Sequence, residues 1–331
     1  MNVDELFDSF KKIKVGVLGD VMLDTYWWGK TERISPEAPV PIVSVSKNEY
    51  RIGGAGNVAL NLASLRVNKV SLISVYGMDQ EAGHLQNLLE EKGIDTSYCI
   101  RSAERVTTNK IRIISRNQQM MRLDAEMTTP LLQKDEEALL KNLEEFLVSE
   151  KPSIIILEDY NKGVLTEKVI AESIALCKKH RVLTAVDPKR LNFFAFKEVD
   201  IFKPNLKEAL EALNIVGKSL SESLLHEIHA ALKNKLQHRA SFITLSENGV
   251  FFENEKESGW IPTHVRSIAD VSGAGDTVIS VASLVFAATG NYKLMAEIAN
   301  IAGGLVCEEV GTVAINKERL RAECKLLLKT N

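Results

Sequence analysis

Short, mostly apolar runs recur along this chain, most of them closed by polar residues and followed by a stretch with helical spacing. Residues 13–19 (Ile-Lys-Val-Gly-Val-Leu-Gly), 70–76, 154–157 (Ile-Ile-Ile-Leu), 182–186, 199–202 and 241–245 are such runs. Bounded apolar runs of this length read as strands buried on both faces. Between and after them, 55–66, 80–92, 133–149, 278–289 and 293–308 read as helices, with Gly93 and Gly290 where C-caps fall. Val250-Phe251-Phe252 starts a hairpin, and His264 to Ile268 reads as one more strand. This alternation predicts an α/β fold: a mostly parallel sheet of about eight or more strands with helices on both faces. The run 154–157 ends in Glu158-Asp159-Tyr160-Asn161-Lys162-Gly163, 182–186 in Asp187-Pro188-Lys189, and 199–202 in Lys203-Pro204-Asn205-Leu206-Lys207-Glu208. Polar groups at successive strand ends mark a site along the C-terminal edge of the sheet.

Two segments break this rhythm. Within 20–50, Pro36, Pro39 and Pro41 fall in six residues, which forbids a helix and favours extended structure. Within 105–125, residues 109–119 alternate with period two and place Lys110, Arg112 and Arg116 on one strand face. Such a cluster is either a charged sheet edge or a phosphate reader. Both segments are expected to form a small β lid on a single domain spanning 1–331.

Composition narrows the class. Hydrophobic residues make up 45% and charged residues 26%, the balance of a globular protein, and the formal net charge is -3. No general attraction to nucleic acid or anionic membrane follows from that charge. Asp4, Glu5 and Asp8 open the chain, so no signal peptide is expected, and the apolar run 278–289 is too short to span a bilayer. Cys99, Cys177, Cys307 and Cys324 show no C-x-x-C spacing and read as reduced thiols. The cytoplasm is the expected compartment.

Candidate chemistry gathers at two glycine-rich turns. Asp270-Val271-Ser272-Gly273-Ala274-Gly275-Asp276-Thr277 opens the apolar run 278–289. Small residues there let a ligand approach the backbone amides at a helix N-terminus, where the dipole favours negative charge. Asp276 puts a carboxylate in that anion site, which suits a partner with a proton to lose; helix capping is the plainer alternative. The second turn is Gly53-Gly54-Ala55-Gly56-Asn57-Val58-Ala59. Gly54-x-Gly56-x-x-Ala59, with Asp79 downstream, fits a dinucleotide-binding fingerprint, but Asn48-Glu49-Tyr50-Arg51 precedes it rather than a buried strand. Asp20 reads as an Asx-turn and Asp24 as a ligand for sugar hydroxyls. His226 and His229 are three apart, so H-E-x-x-H zinc chemistry is excluded.

The string Asp-x-x-Gly-Ala-Gly-Asp-Thr resembles the C-terminal signature of the ribokinase or phosphofructokinase-B sugar kinases, with Val271 where ribokinase has Thr. Gly53, Gly54 and Asn57 match the family's Gly-Gly-x-x-Asn, and Asn205 with Glu208 matches its Asn-x-x-Glu. Gly19 to Asp24, Arg33 to Pro41 and Ser115 to Asp124 are similar to bacterial D-glycero-β-D-manno-heptose 7-phosphate kinases. The resemblance implies a ribokinase-like fold with Asp276 as base and the amides of Gly273, Ala274 and Gly275 around the phosphoryl group. It places Asp24, Gly53, Gly54, Asn57, Arg112, Arg116 and Asp159 at the sugar. Asn205, Lys207, Glu208, Ser246, Gly249 and Asn300 would serve ATP, with Asn205 and Glu208 reaching Mg²⁺ through water. It implies transfer to the anomeric hydroxyl of the heptose 7-phosphate, in the supply of heptose for lipopolysaccharide, and a homodimer paired through the lid. A K⁺ requirement stays open. Some relatives carry a cytidylyltransferase domain, for which this chain is expected to be too short. The alternatives are a kinase for another sugar, a nicotinamide oxidoreductase and a non-catalytic sugar- or nucleotide-binding regulator.

Overall fold

The computed structural model describes residues 2–116, 118–264 and 266–328. Its strands are β1 (Lys14–Gly19), β2 (Val21–Ile34), β3 (Pro41–Gly54), β4 (Lys69–Ile73), β5 (Val75–Tyr76), β6 (Ile100–Arg101) and β7 (Asn109–Ser115). They continue with β8 (Gln118–Ala125), β9 (Ile154–Glu158), β10 (Leu183–Asp187), β11 (Ile201–Phe202), β12 (Ala240–Thr244), β13 (Val250–Asn254) and β14 (Ser258–Ile261). The helices are α1 (Val3–Ser9), α2 (Ala55–Ser64), α3 (Gln80–Glu91), α4 (Gln133–Glu150) and α5 (Glu167–His180), then α6 (Leu206–Ala212), α7 (Glu222–Leu236), α8 (Ala274–Thr289), α9 (Tyr292–Val306) and α10 (Lys317–Leu327).

Eight strands form the main sheet in the order β14-β13-β12-β11-β10-β9-β1-β4. It is parallel from β4 to β12 and antiparallel through β13 and β14. The uninterrupted apolar runs follow from burial on both faces. Ile154 and Ile156 of β9 join the core beneath α2, α8 and α9. Ile155 and Leu157 join the opposite core, beneath α4, α5 and α7. This is the mostly parallel α/β sheet, with helices on both faces, that the strand–helix rhythm implied.

The second sheet has the order β3-β2-β7-β8. Pro36 and Pro39 lie in the turn between β2 and β3, and Pro41 begins β3, so the prolines end pairing without interrupting it. Residues 109–119 are not one strand. β7 stops at Ser115, Arg116 turns with φ 50, and β8 returns antiparallel from Gln118; Asn117 lies outside the described residues. The expected strand at 264–268 is also displaced. The chain pairs at Ser258–Ile261 and then runs without strand pairing, and Val265 lies outside the described residues.

Asp20 joins the layers. Its N–H donates to Glu158 O at 3.1 Å, and its carbonyl accepts the Ala55 N–H at 2.9 Å. Its buried carboxylate accepts the backbone N–H groups of Tyr160, Lys162 and Val164. The residue therefore ties β1, α2 and the loop after β9 together, a larger role than a local Asx-turn.

Candidate active site

Helix α8 begins at the glycine-rich turn. Gly273 is its N-cap at φ 77, in the left-handed region that favours glycine, and no side chain caps the first turn. A Cβ there would lie 3.0 Å from both Asn57 Nδ2 and Thr312 Cγ2. Asp276 follows in the first turn, buried. Asn57 Nδ2 donates to its Oδ2 at 2.6 Å, and the Tyr160 hydroxyl donates to its Oδ1 at 2.7 Å. Asn57 belongs to α2, which starts at Gly54 with φ 58; a Cβ on Gly54 would meet Asp20 O at 2.4 Å. The two glycine-rich turns therefore converge on one carboxylate. Asn61, one helical turn after Asn57, locks that meeting by accepting from the Thr277 hydroxyl and the Ile315 N–H while donating to Asn57 O.

The strand ends supply the charge around it. The register of β9 with β10 sets Glu158 beside Asp187, and ligand oxygens of Glu158, Asp187 and Asp276 all lie within 4.8 Å of one another. Lys203 Nζ stands 2.7 Å from Asp187 Oδ2, and Lys189 Nζ stands 3.1 Å from Oδ1. Burial works to raise the Asp187 carboxyl, but the two lysines outweigh it and hold it below the usual range. Glu158 has no such partner. Burial, then the charges of Asp187 and Asp276, push it well above the carboxylate range, and neither of its oxygens has a hydrogen-bond partner. Burial pushes Asp276 up to about 6 against the pull of the Asn57 and Tyr160 donors. Three carboxyls in one small volume thus divide into one neutral acid, one lysine-paired anion and one group poised to exchange a proton near neutrality.

A cavity of about 470 Å³ opens over this cluster. Its wall brings together Asp276, Gly273, Ala274 and Gly275 with Lys189 and Lys203. Further along lie Asn205, Glu208, Ser246, Gly249 and Asn300. Asn205 and Glu208 close a reciprocal capping box at the start of α6, at 2.8 Å in each direction, and Glu208 Oε1 also meets Lys189 at 3.2 Å. Asn300 donates to Pro262 O at 2.9 Å.

Several expected contacts fall elsewhere. Lys207 points outward, with its side chain 85% exposed and facing Glu211. The Ala274 N–H is directed at Val271 O at 3.3 Å, which leaves the neighbouring amides as the better donors. Asp159 is buried beside Asp20 and accepts the Asn161 N–H, away from the cavity wall. Burial and the Asp20 charge push its carboxyl up to about 7. Asp79 caps α3 and accepts the Thr107 N–H, so it has no ribose role. A strand does precede Gly54, but it is β3 of the second sheet, antiparallel to β2, so no βαβ dinucleotide unit exists there.

The second sheet brings another set of groups to Gly53, four residues before Asn57. Asp24 lies against Gly53, where a Cβ would come within 2.5 Å of its carboxylate. Arg112 Nη1 donates to Asp24 Oδ1 at 2.5 Å. Cross-strand register puts Arg51, Asp24, Lys110 and Asp124 in one row, with Tyr26 and Arg112 in the next row of the same face. Arg51 and Arg112 both stand over the Tyr26 ring, at 4.7 and 5.3 Å. Arg116 is not part of this group, because its turn carries it outward into solvent.

A hydroxyl next to Asp276 has a base for its proton, and an anionic group in the cavity meets two lysines and a helix N-terminus. Those are the requirements of a phosphotransferase acting on an alcohol. The chain belongs to the pfkB family of carbohydrate kinases, whose family profile matches residues 12–319. It is 37% identical over 316 residues to the bifunctional protein HldE of Geobacter metallireducens, a match covering 95% of this chain and 64% of that protein. The chain thus spans a little under two thirds of the length of such relatives. In fold it is similar to phosphofructokinase-2 from Escherichia coli in complex with potassium, with a TM-score of 0.77 at 16% identity, covering 95% of this chain and 99% of the other. Ribokinase of Arabidopsis thaliana complexed with ribose and ATP gives 0.72 at 15%, covering 93% and 98%.

Proposed function

We propose that this chain transfers the γ-phosphoryl group of ATP to the anomeric hydroxyl of D-glycero-β-D-manno-heptose 7-phosphate, giving the 1,7-bisphosphate for lipopolysaccharide heptose. The observation that carries the reading is the buried Asp276 carboxylate at the start of α8, joined to the sugar-side motif through Asn57. Asp276 takes the hydroxyl proton as the new O–P bond forms, the bond between the γ-phosphorus and its bridging oxygen breaks, and ADP leaves with that electron pair. The Gly273 and Gly275 amides, with Lys189 and Lys203, hold the charge on the transferring group.

Mg²⁺ bound with ATP would supply charge neutralisation at the phosphates, and Asn205 and Glu208 would hold it. The fit is to a water-mediated contact. Asn205 and Glu208 already spend an oxygen each on the capping box, and Glu208 Oε1 meets Lys189, yet both side chains remain on the cavity wall. Repeating the assay in Na⁺ and in K⁺ decides whether a monovalent cation is needed.

The heptose assignment is supported by the strings at 19–24, 33–41 and 115–124, and by Arg112 of the second sheet, which keeps donors beyond its contact with Asp24. That sheet, with lid segments near 20–50 and 105–125 on a single kinase domain, closes over the sugar in this reading. Its opposite face carries Ile111, Ile113, Met121 and Leu123 in register, with Met121 55% and Leu123 42% exposed. We assign that face to a homodimer in the cytoplasm; Leu123→Asp, read by light scattering, should give monomers. Among the described residues no helix is long and apolar enough to cross a membrane. The deciding experiment is coupled ADP release over free and phosphorylated sugars. Turnover on the heptose 7-phosphate well above all others is the expected result, and a preference for an unphosphorylated sugar overturns the assignment.

A further inference from the structure

The loop after β9 holds a group that the transfer scheme leaves unused. The Tyr160 hydroxyl donates to one oxygen of Asp276 at 2.7 Å, while Asn57 donates to the other at 2.6 Å. The terminal torsion of an aspartate is broad and roughly two-fold, so a single donor leaves the carboxylate plane free to turn. Two donors on different oxygens, one from α2 and one from this loop, fix that plane. A carboxylate has about four lone-pair sites, so positions remain for an acceptor hydroxyl.

The loop is itself anchored. The Tyr160 N–H donates to Asp20 Oδ2 at 2.8 Å, and the Lys162 and Val164 N–H groups reach the same carboxylate at 3.0 Å each. Asp20 is 1% exposed and lies at the end of β1, so the aspartate spends its acceptors on holding this loop. We propose that Tyr160 is a positioning residue for the base, its hydroxyl held by the Asp20-anchored loop so that the open lone pairs of Asp276 face the acceptor hydroxyl. The inference rests on the reading of Asp276 as the proton acceptor.

The charged groups facing this pair are Glu158 and Asp187 from the strand ends, with Lys189 and Lys203 opposite them. The Asp187 charge disfavours a charged Asp276, and the Tyr160 donor works against it. Tyr160 has a plainer role to weigh, since Lys189 Nζ stands 5.3 Å from its ring and both line the cavity. Tyr160→Phe separates the roles, because it keeps the ring beneath Lys189 and removes only the hydroxyl.

The test measures kcat/KM against pH for wild type and Tyr160→Phe on the best sugar of the panel. Losing a donor to the charged form should move the acid limb up by about one pH unit. The plateau kcat should fall roughly tenfold, with both KM values within about twofold. A ¹³C titration of the Asp276 carboxyl, assigned by its loss in Asp276→Asn, should show the same upward move and needs no turnover. An unmoved acid limb and an unmoved ¹³C midpoint in the folded variant would overturn the inference. If the wild type releases no ADP with any sugar, the kinase reading fails, and the ¹³C midpoint still decides whether Tyr160 holds the carboxylate.

Discussion

Asn57 and Asp276 are 219 residues apart in sequence and share a 2.6 Å hydrogen bond. The contact joins α2 to α8 and makes the two glycine-rich turns a single device. Asn57 Oδ1 is buried with no hydrogen-bond partner. A neighbouring sugar hydroxyl, other than the one whose proton goes to Asp276, could donate to that oxygen. The amide is therefore more than a spacer. It holds the Asp276 carboxylate and, in the proposed reading, offers the sugar a contact.

Asp276→Asn keeps the side-chain size and the helix start but cannot take a proton. Steady-state kinetics should show kcat lower by ~10²–10⁴, the usual range for losing a general base. ATP protection against thermal unfolding should be nearly unchanged, since the cavity wall is preserved. Near-normal turnover would reduce Asp276 to an anchor for Asn57 and Tyr160.

The same substitution has a stability signature. Burial raises the Asp276 carboxyl from 3.8 to about 6, so between those values the folded chain holds a proton that the unfolded chain has released. Stability from this group is therefore present below 3.8 and lost as pH rises through about 6. Asparagine cannot titrate. The melting temperature of Asp276→Asn relative to wild type should be higher at about pH 8 than at about pH 4.5, by on the order of a few degrees. Asp159, raised in the same direction, is common to both proteins and cancels. A difference that does not change with pH would show that Asp276 ionises normally.

The sheet was legible because strands buried on both faces must be continuous apolar runs, and Gly290 closed α8 as its position promised, at φ 65. The β7–β8 turn was not. Ser115 to Gln119 is polar throughout and offers no glycine, so the period-two pattern runs through a turn made by Arg116 in a left-handed conformation. The segment near 264–268 misled for another reason: His264 and Ile268 face the cavity instead of pairing with a strand. Lys189 and Lys203 escaped notice as site residues because a charged strand end looks solvated in one dimension. Only the register of β9, β10 and β11 turns them onto Asp187. Tyr160 had no pattern to reveal it, since its partner is a single carboxylate 116 residues away.

Glu208→Gln tests the metal side. Glutamine keeps the capping box, so α6 should stay in place. What is lost is the charge near the phosphates and the pairing with Lys189. The Mg²⁺ concentration for half-maximal rate should rise severalfold, with the sugar KM nearly unchanged. A rise in sugar KM alone would move Glu208 to the other substrate.

Arg112 tests the acceptor. One of its nitrogens donates to Asp24, with a longer contact to Lys110 O, and a guanidinium has five N–H donors, so donors remain for a phosphate. Arg122 stands opposite Arg112 in register and Lys110 two residues before it, but both are paired with Asp124, so the phosphate reading rests on the free donors of Arg112. A charge-assisted hydrogen bond is worth ~1.5–3 kcal/mol, so Arg112→Ala should shrink the preference for heptose 7-phosphate over the free heptose by roughly 10- to 150-fold. The substitution also strips the buried Asp24 of its partner, and both sugars should lose some rate on that account. The ratio is therefore the readout. Asp24→Asn supplies the contrast: it should weaken both sugars alike and leave their ratio near the wild-type value. If Arg112→Ala lowers both rates and keeps the ratio, the arginine serves only to hold Asp24, and the phosphate must be read elsewhere in the row.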